Sequence, residues 1–127
     1  MTRFLRTITV ALLAFAAGVA HALTIEPFTA DAFAAAQQAG RPVAVHFHAD
    51  WCPTCVQQEK AFKQLSTESG LDLTLFVADY DREKALRRAM KVRSQSTLVV
   101  FRGAEEKARV GGETAVDRLR AALKAAL

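Results

Sequence analysis

The run Val43-Ala44-Val45-His46-Phe47-His48-Ala49-Asp50-Trp51-Cys52-Pro53-Thr54-Cys55 decides how this chain is read. Val43 to Ala49 alternates with period two. It reads as a strand with Val43, Val45 and Phe47 on one face and Ala44, His46 and His48 on the other. Asp50 ends that pattern. Pro53 has no amide hydrogen and suits a first helical turn, so a helix is predicted from the motif to about Ser66. Cys52 then stands at the positive end of a helix dipole, beside free backbone N–H groups. Both favour the thiolate, which is the attacking form of a cysteine. Cys55 lies one turn in, close enough to resolve a mixed disulfide made at Cys52. The spacing points to Cys52 as nucleophile and Cys55 as resolving thiol. Such a pair cycles between dithiol and disulfide and calls for no other cofactor.

Working outward, Glu26 to Ala39 holds an edge segment and a helix that Thr29 or Asp31 can cap and Gly40 can end. Leu71 to Ala78 has the apolar pattern of a buried strand, and Asp81 to Met90 that of a helix bearing Leu86 and Ala89. Thr97 to Phe101 reads as a strand, and Gly103 as a hairpin turn into Lys107–Val110. Gly111-Gly112 breaks the chain before a last helix, Thr114 to Leu127, with Val116, Leu119, Leu123 and Leu127 inward. The order β-α-β-α-β-α-β-β-α predicts an α/β fold, a mixed central sheet with helices on both faces. No repeat or linker divides the chain.

The chain has 127 residues, half of them apolar and 24% charged, which supports one packed domain over disorder. Met1 to Arg6 carries two arginines, Thr7 to Val19 is almost wholly apolar, and Ala20-His21-Ala22 is a small-x-small pattern. Residues 1–22 therefore read as a signal peptide and 23–127 as the domain, with an uncleaved membrane anchor as the alternative. Either way the domain is expected outside the cytoplasm, periplasmic or secreted, where disulfides persist. Without Arg3 and Arg6 the formal charge of +4 falls to 15 basic against 13 acidic residues. No basic stripe is interleaved with aromatics, so nucleic acid is not an expected partner.

On these residues the sequence resembles the thioredoxin superfamily. The resemblance runs from Val43 to Phe101 and more loosely to the C-terminus, and includes the strand Thr97-Leu98-Val99-Val100-Phe101 and the pair Val110-Gly111. Ala49-Asp50-Trp51-Cys52, Cys55, Glu59-Lys60 and Phe62 resemble the C-terminal domain of the transmembrane thiol–disulfide interchange reductase. Trp51-Cys52-Pro53-Thr54-Cys55 resembles the cytochrome c maturation thiol reductases. The resemblance implies a thioredoxin fold and a periplasmic, monomeric reductase of protein disulfides, with a membrane reductase as electron donor. It also implies that Gln95-Ser96-Thr97 is the substrate-docking loop and that Glu59 tunes the cysteines; Trp51, from its place beside the motif, is expected to shield and present Cys52, with simple packing as the alternative.

Three positions depart from the family pattern. Ser96 stands where a cis-proline is usual; a non-proline cis bond costs about 2.5–4 kcal/mol, so the 95–96 peptide is expected to be trans. His46 replaces a buried acid and is the candidate proton relay for Cys55. Val77 replaces a lysine. The simplest reading of His46 and His48 is a pair of partly buried core histidines. With Cys52 and Cys55 they also make a set that zinc could use. The alternative to an oxidoreductase is a binding module for metal or protein without turnover; no metal is assigned from sequence.

Overall fold

The computed structural model describes residues 21–127. The expected signal segment lies mostly outside them. The first packed side chain is Leu23, which is buried, and Ala22 forms an isolated bridge with Ser69. From there the elements follow the predicted order: β1 (Thr24–Pro27), α1 (Ala30–Gln38), β2 (Pro42–His48), α2 (Pro53–Leu65), β3 (Thr74–Asp79), α3 (Lys84–Ala89), β4 (Thr97–Arg102), β5 (Glu105–Gly111) and α4 (Val116–Lys124).

The strands form one mixed sheet in the order β1-β3-β2-β4-β5. β3 runs parallel to β1 and β2, while β4 is antiparallel to β2 and β5. The central strand β2 is therefore hydrogen-bonded on both edges and buried from Val43 to Phe47. Its period-two alternation divides the core. Val43, Val45 and Phe47 join Phe33, Phe76, Val99 and Phe101 under α1, with Leu86 of α3 packed against them. Ala44 joins Phe62, Leu65, Leu75, Leu98, Leu119 and Leu123 under α2 and α4. Burying each such large side chain contributes roughly 1.5–3 kcal/mol. Both sheet faces are thus covered, and the end of β2 delivers the cysteine motif to the edge of the second core. No helix among the described residues is long and apolar enough to cross a membrane.

Several boundaries differ from the sequence reading. β3 starts at Thr74 rather than Leu71, although Leu71 and Leu73 are both buried. These leucines pack into the core from a loop, because burial alone does not demand strand geometry. α3 starts at Lys84 rather than Asp81: the Asp79 carboxylate accepts the N–H groups of Asp81 at 2.9 Å and Arg82 at 3.1 Å, which holds a turn there. α4 starts at Val116 rather than Thr114, since the Glu113 carboxylate occupies the N–H groups of Thr114 and Ala115. At its far end Ala126 takes the inward position and Leu127 is 49% exposed, so Leu127 is not a core residue.

Candidate active site

The site forms where β2 passes into α2. Cys52 is the N-cap of α2, with Pro53 in the first turn. Its Sγ accepts the backbone N–H of Cys55 at 3.1 Å, a role usually filled by a hydroxyl or carboxylate oxygen. The Cys52 N–H donates to the Ala49 carbonyl at 3.1 Å, which fixes the turn. Both cysteines are buried free thiols.

Ser96 closes the site from the loop before β4. Its hydroxyl is 3.1 Å from Cys52 Sγ and 3.3 Å from Cys55 Sγ. One hydroxyl has one proton, so it donates to one sulfur and accepts from the other. The backbone there is unusual. Ser96 has a φ of +63°, and among the described residues no peptide is cis, so the 95–96 bond is trans as expected. The Ser96 N–H donates to the Phe47 carbonyl at 2.9 Å, and its carbonyl accepts from Gly112 N–H at 3.0 Å. A proline could supply neither that φ nor that donor. Of the other loop residues, Thr97 donates its hydroxyl to the Ser94 carbonyl at 2.8 Å, and Gln95 is partly exposed.

The two sulfurs are held apart in acidity. Burial pushes the Cys52 thiol up, but the neighbouring Cys55 thiol, the Ser96 hydroxyl and the N–H groups of Cys55 and Thr54 outweigh it, so the net direction is down. Burial pushes Cys55 up, and its bond and charge interaction with Cys52 push it further. The consistent proton order is a Cys52 thiolate accepting from Ser96, whose oxygen accepts from the Cys55 S–H.

Beneath the sulfurs lies Gln58, a residue the sequence reading missed. It is fully buried on the inward stripe of α2 with Cys55, Ala61, Phe62 and Leu65. Its amide nitrogen donates to the carbonyls of Ser96 at 3.0 Å and Glu113 at 2.9 Å, and its Oε1 accepts from His46 Nε2 at 2.8 Å. Gln58 thereby ties the floor of the site to the Ser96 loop and to the segment before α4. The signal in sequence was its spacing of three from Cys55, which shares a helix face as well as the spacing of four that drew attention to Glu59.

The remaining candidates fall as follows. His46 is buried on the α2 side of the sheet, its ring 5.0 Å from that of Phe62. Burial holds its pKa at about 4, so the ring is neutral near pH 7 and adds no charge beside the thiols. His48, at the end of β2, bonds Asp50 Oδ1 through Nε2 at 3.0 Å. Glu59 pairs with Lys63 at 3.3 Å and, with His46, His48 and Val77, lines a cavity of about 70 Å³. Its charge raises the His46 pKa and is not among the influences on either sulfur. Trp51 is 60% exposed beside Cys52, which is 2% exposed, and its Nε1 donates to Asp81 Oδ2 at 2.7 Å. That bond turns the indole outward along the rim of the site.

Known proteins share this fold. The thioredoxin family profile matches residues 24–125. The structure of Trxlp from Edwardsiella tarda is 37% identical and superposes with a TM-score of 0.74, covering 79% of this chain and 98% of that one. The bifunctional thioredoxin reductase/thioredoxin of Mycobacterium leprae is 30% identical over 90 residues, 71% of this chain and 20% of that protein. The thioredoxin of Mycobacterium bovis is 32% identical over 72 residues, 57% of this chain and 62% of its own length. The chain therefore spans a fifth of the first of these curated relatives and under two thirds of the second. With the profile covering most of its length and the sheet order and helix placement described above, the chain belongs to the thioredoxin family.

Proposed function

We propose that this protein is a thiol–disulfide oxidoreductase that exchanges its Cys52/Cys55 dithiol with disulfides of other proteins. The observation that carries this reading is the placing of Cys52 Sγ: it caps α2, takes the Cys55 N–H at 3.1 Å and lies 3.1 Å from the Ser96 hydroxyl. Those contacts favour its thiolate, while Cys55 is held as a protonated reserve.

The reaction follows from that order. The Cys52 thiolate attacks one sulfur of a substrate disulfide, and the other leaves as a thiolate that takes a proton from water. Cys55 then gives up its proton and attacks Cys52 Sγ, releasing the second substrate sulfur as a thiol. The protein ends as the Cys52–Cys55 disulfide, oxidised by two electrons, and the substrate as two thiols. Three acceptors stand near the Cys55 proton: the Ser96 hydroxyl at 3.3 Å, the Phe47 carbonyl at 3.9 Å and a ring nitrogen of His46 within 4.8 Å. The proton leaves through Ser96, the shortest of these contacts.

The direction is proposed as reducing, with electrons from a membrane reductase, in a monomer exported from the cytoplasm. The apolar segment Thr7–Val19 followed by Ala20-His21-Ala22 supports export. Reduction of insulin by the recycled dithiol tests the activity. Turnover should be lost in Cys52→Ser; turnover that survives this substitution would sink the reading.

A further inference from the structure

The thiol reaction leaves part of the site's chemistry unused. One ring nitrogen of His46, one of His48 and Sγ of Cys55 all lie within 4.8 Å of one another. The two histidines project from the same face of β2 because they are two residues apart. Their rings meet edge to face with centroids 5.6 Å apart. Each ring has one committed nitrogen. His46 Nε2 bonds Gln58 Oε1 at 2.8 Å, and His48 Nε2 bonds Asp50 Oδ1 at 3.0 Å. Nδ1 is the nitrogen left over on both rings, and Nδ1 of His48 is buried without any hydrogen-bond partner. An amide or carboxylate on the far nitrogen is how ligating histidines are held: it fixes the tautomer so that the near nitrogen presents its lone pair.

We propose that His46, His48 and Cys55 form a binding site for a divalent transition-metal ion of the zinc type, present only when the cysteines are reduced. Two imidazoles and one thiolate suit a borderline ion such as Zn²⁺ or Co²⁺ and not a hard one such as Mg²⁺. Tetrahedral zinc bonds of about 2.0–2.1 Å to nitrogen and 2.3 Å to sulfur set ligand atoms roughly 3.3–3.6 Å apart, so no pair need close by more than about 1.5 Å. His46 and His48 also line a cavity with Glu59, from which a water or the Glu59 carboxylate could supply the fourth ligand. Binding exchanges the Cys55 proton for the metal: Cys55–SH and M²⁺ give Cys55–S–M⁺ and H⁺, with no change of oxidation state. A Cys52–Cys55 disulfide uses the same sulfur, so metal and disulfide exclude each other. Metal occupancy therefore holds the pair reduced and blocks the resolving step. The site rests on the proposed function only in that Cys55 alternates between thiol and disulfide; Cys52 is not a ligand.

Cobalt titration of the reduced, chelator-treated full chain tests this. The expected result is uptake of one Co²⁺ with a thiolate-to-cobalt absorption band that Zn²⁺ displaces. Cys52→Ser should keep that stoichiometry and band. Cys55→Ser and His48→Ala should weaken binding by at least about 100-fold, beyond the 10–100-fold usual for loss of an outer partner. Oxidised wild-type protein, which removes the sulfur ligand without mutation, should not bind; it guards against a His48→Ala variant that fails to fold. Absence of stoichiometric uptake by the reduced protein overturns the proposal. So does binding that needs Cys52 and survives His48→Ala, the mark of a plain two-sulfur chelate. Insulin turnover is read separately: its loss with this binding pattern intact removes the oxidoreductase reading and leaves the metal site standing, and the reverse result does the opposite.

Discussion

Replacing Ser96 with alanine removes the one hydroxyl shared by the two sulfurs and leaves the backbone as it is. Cβ is retained, so the cost of a φ of +63° is the same before and after, and the N–H bond to Phe47 survives. The loss is a hydrogen bond of 3.1 Å to a sulfur that is 2% exposed, where water cannot readily replace it. A hydrogen bond to a charged group is worth about 1.5–3 kcal/mol. At 1.36 kcal/mol per unit, the Cys52 thiolate pKa should rise by about one to two units. Intrinsic nucleophilicity rises with pKa with a coefficient of about 0.4–0.5, which offsets nearly half of the lost thiolate. At a pH below both inflections, the net fall in alkylation rate should be about three- to sixteenfold. The assay is the pH dependence of iodoacetamide alkylation of reduced protein in the presence of a chelator, with the modified residue identified by mass spectrometry. An inflection that stays in place, or moves down, would refute the claim that Ser96 stabilises the Cys52 thiolate.

Other expectations follow from the same contacts. Gln58→Ala removes three hydrogen bonds from a fully buried side chain and should cost about 2–4 kcal/mol in urea unfolding; a loss below about 1 kcal/mol would mean that the network holds little. Ser96→Pro cannot keep a φ of +63° or the bond to Phe47, so it should cost more than about 1 kcal/mol, and an equal or raised melting temperature would contradict the loop geometry. The reduced protein's stability should depend on pH with two limbs. Cys52 is held below its ordinary value, so its contribution is present above that value and is lost as pH falls through the folded value. Cys55 is held above its ordinary value, so its contribution is present below that value and is lost as pH rises through the folded value. Denaturant melts across pH should lose the acid-side slope in Cys52→Ser and the alkaline-side slope in Cys55→Ser; slopes unchanged by either substitution would show that other groups set them.

What was legible in the sequence was what local patterns control. The alternation over Val43–His48 assigned each residue to its sheet face, and those faces are the two cores. Pro53 marked the start of α2, and with it the capping position of Cys52. Apolar runs report burial but not conformation, so the buried Leu71 and Leu73 look like part of β3 although they precede it. The starts of α3 and α4 were set by carboxylates of Asp79 and Glu113 that capture nearby N–H groups, a choice between turn and helix that composition leaves open. Ser96 carries no local sign of a left-handed backbone, since neither glycine nor asparagine marks the loop. Its conformation is held by Phe47, Gly112 and Gln58, all distant in sequence. For the same reason Gln58 does not stand out from Glu59 in the sequence: the partners that make Gln58 matter, Ser96 and Glu113, lie 38 and 55 residues away.

If Cys52 attacks and Cys55 resolves, the mixed-disulfide intermediate can be trapped on Cys52. Cys55→Ser should accumulate a mixed disulfide with a substrate protein, and mass spectrometry should place the bond on Cys52; Cys52→Ser should accumulate none. An adduct on Cys55 in the Cys52→Ser protein, or no adduct on Cys52 in the Cys55→Ser protein, would contradict the assignment.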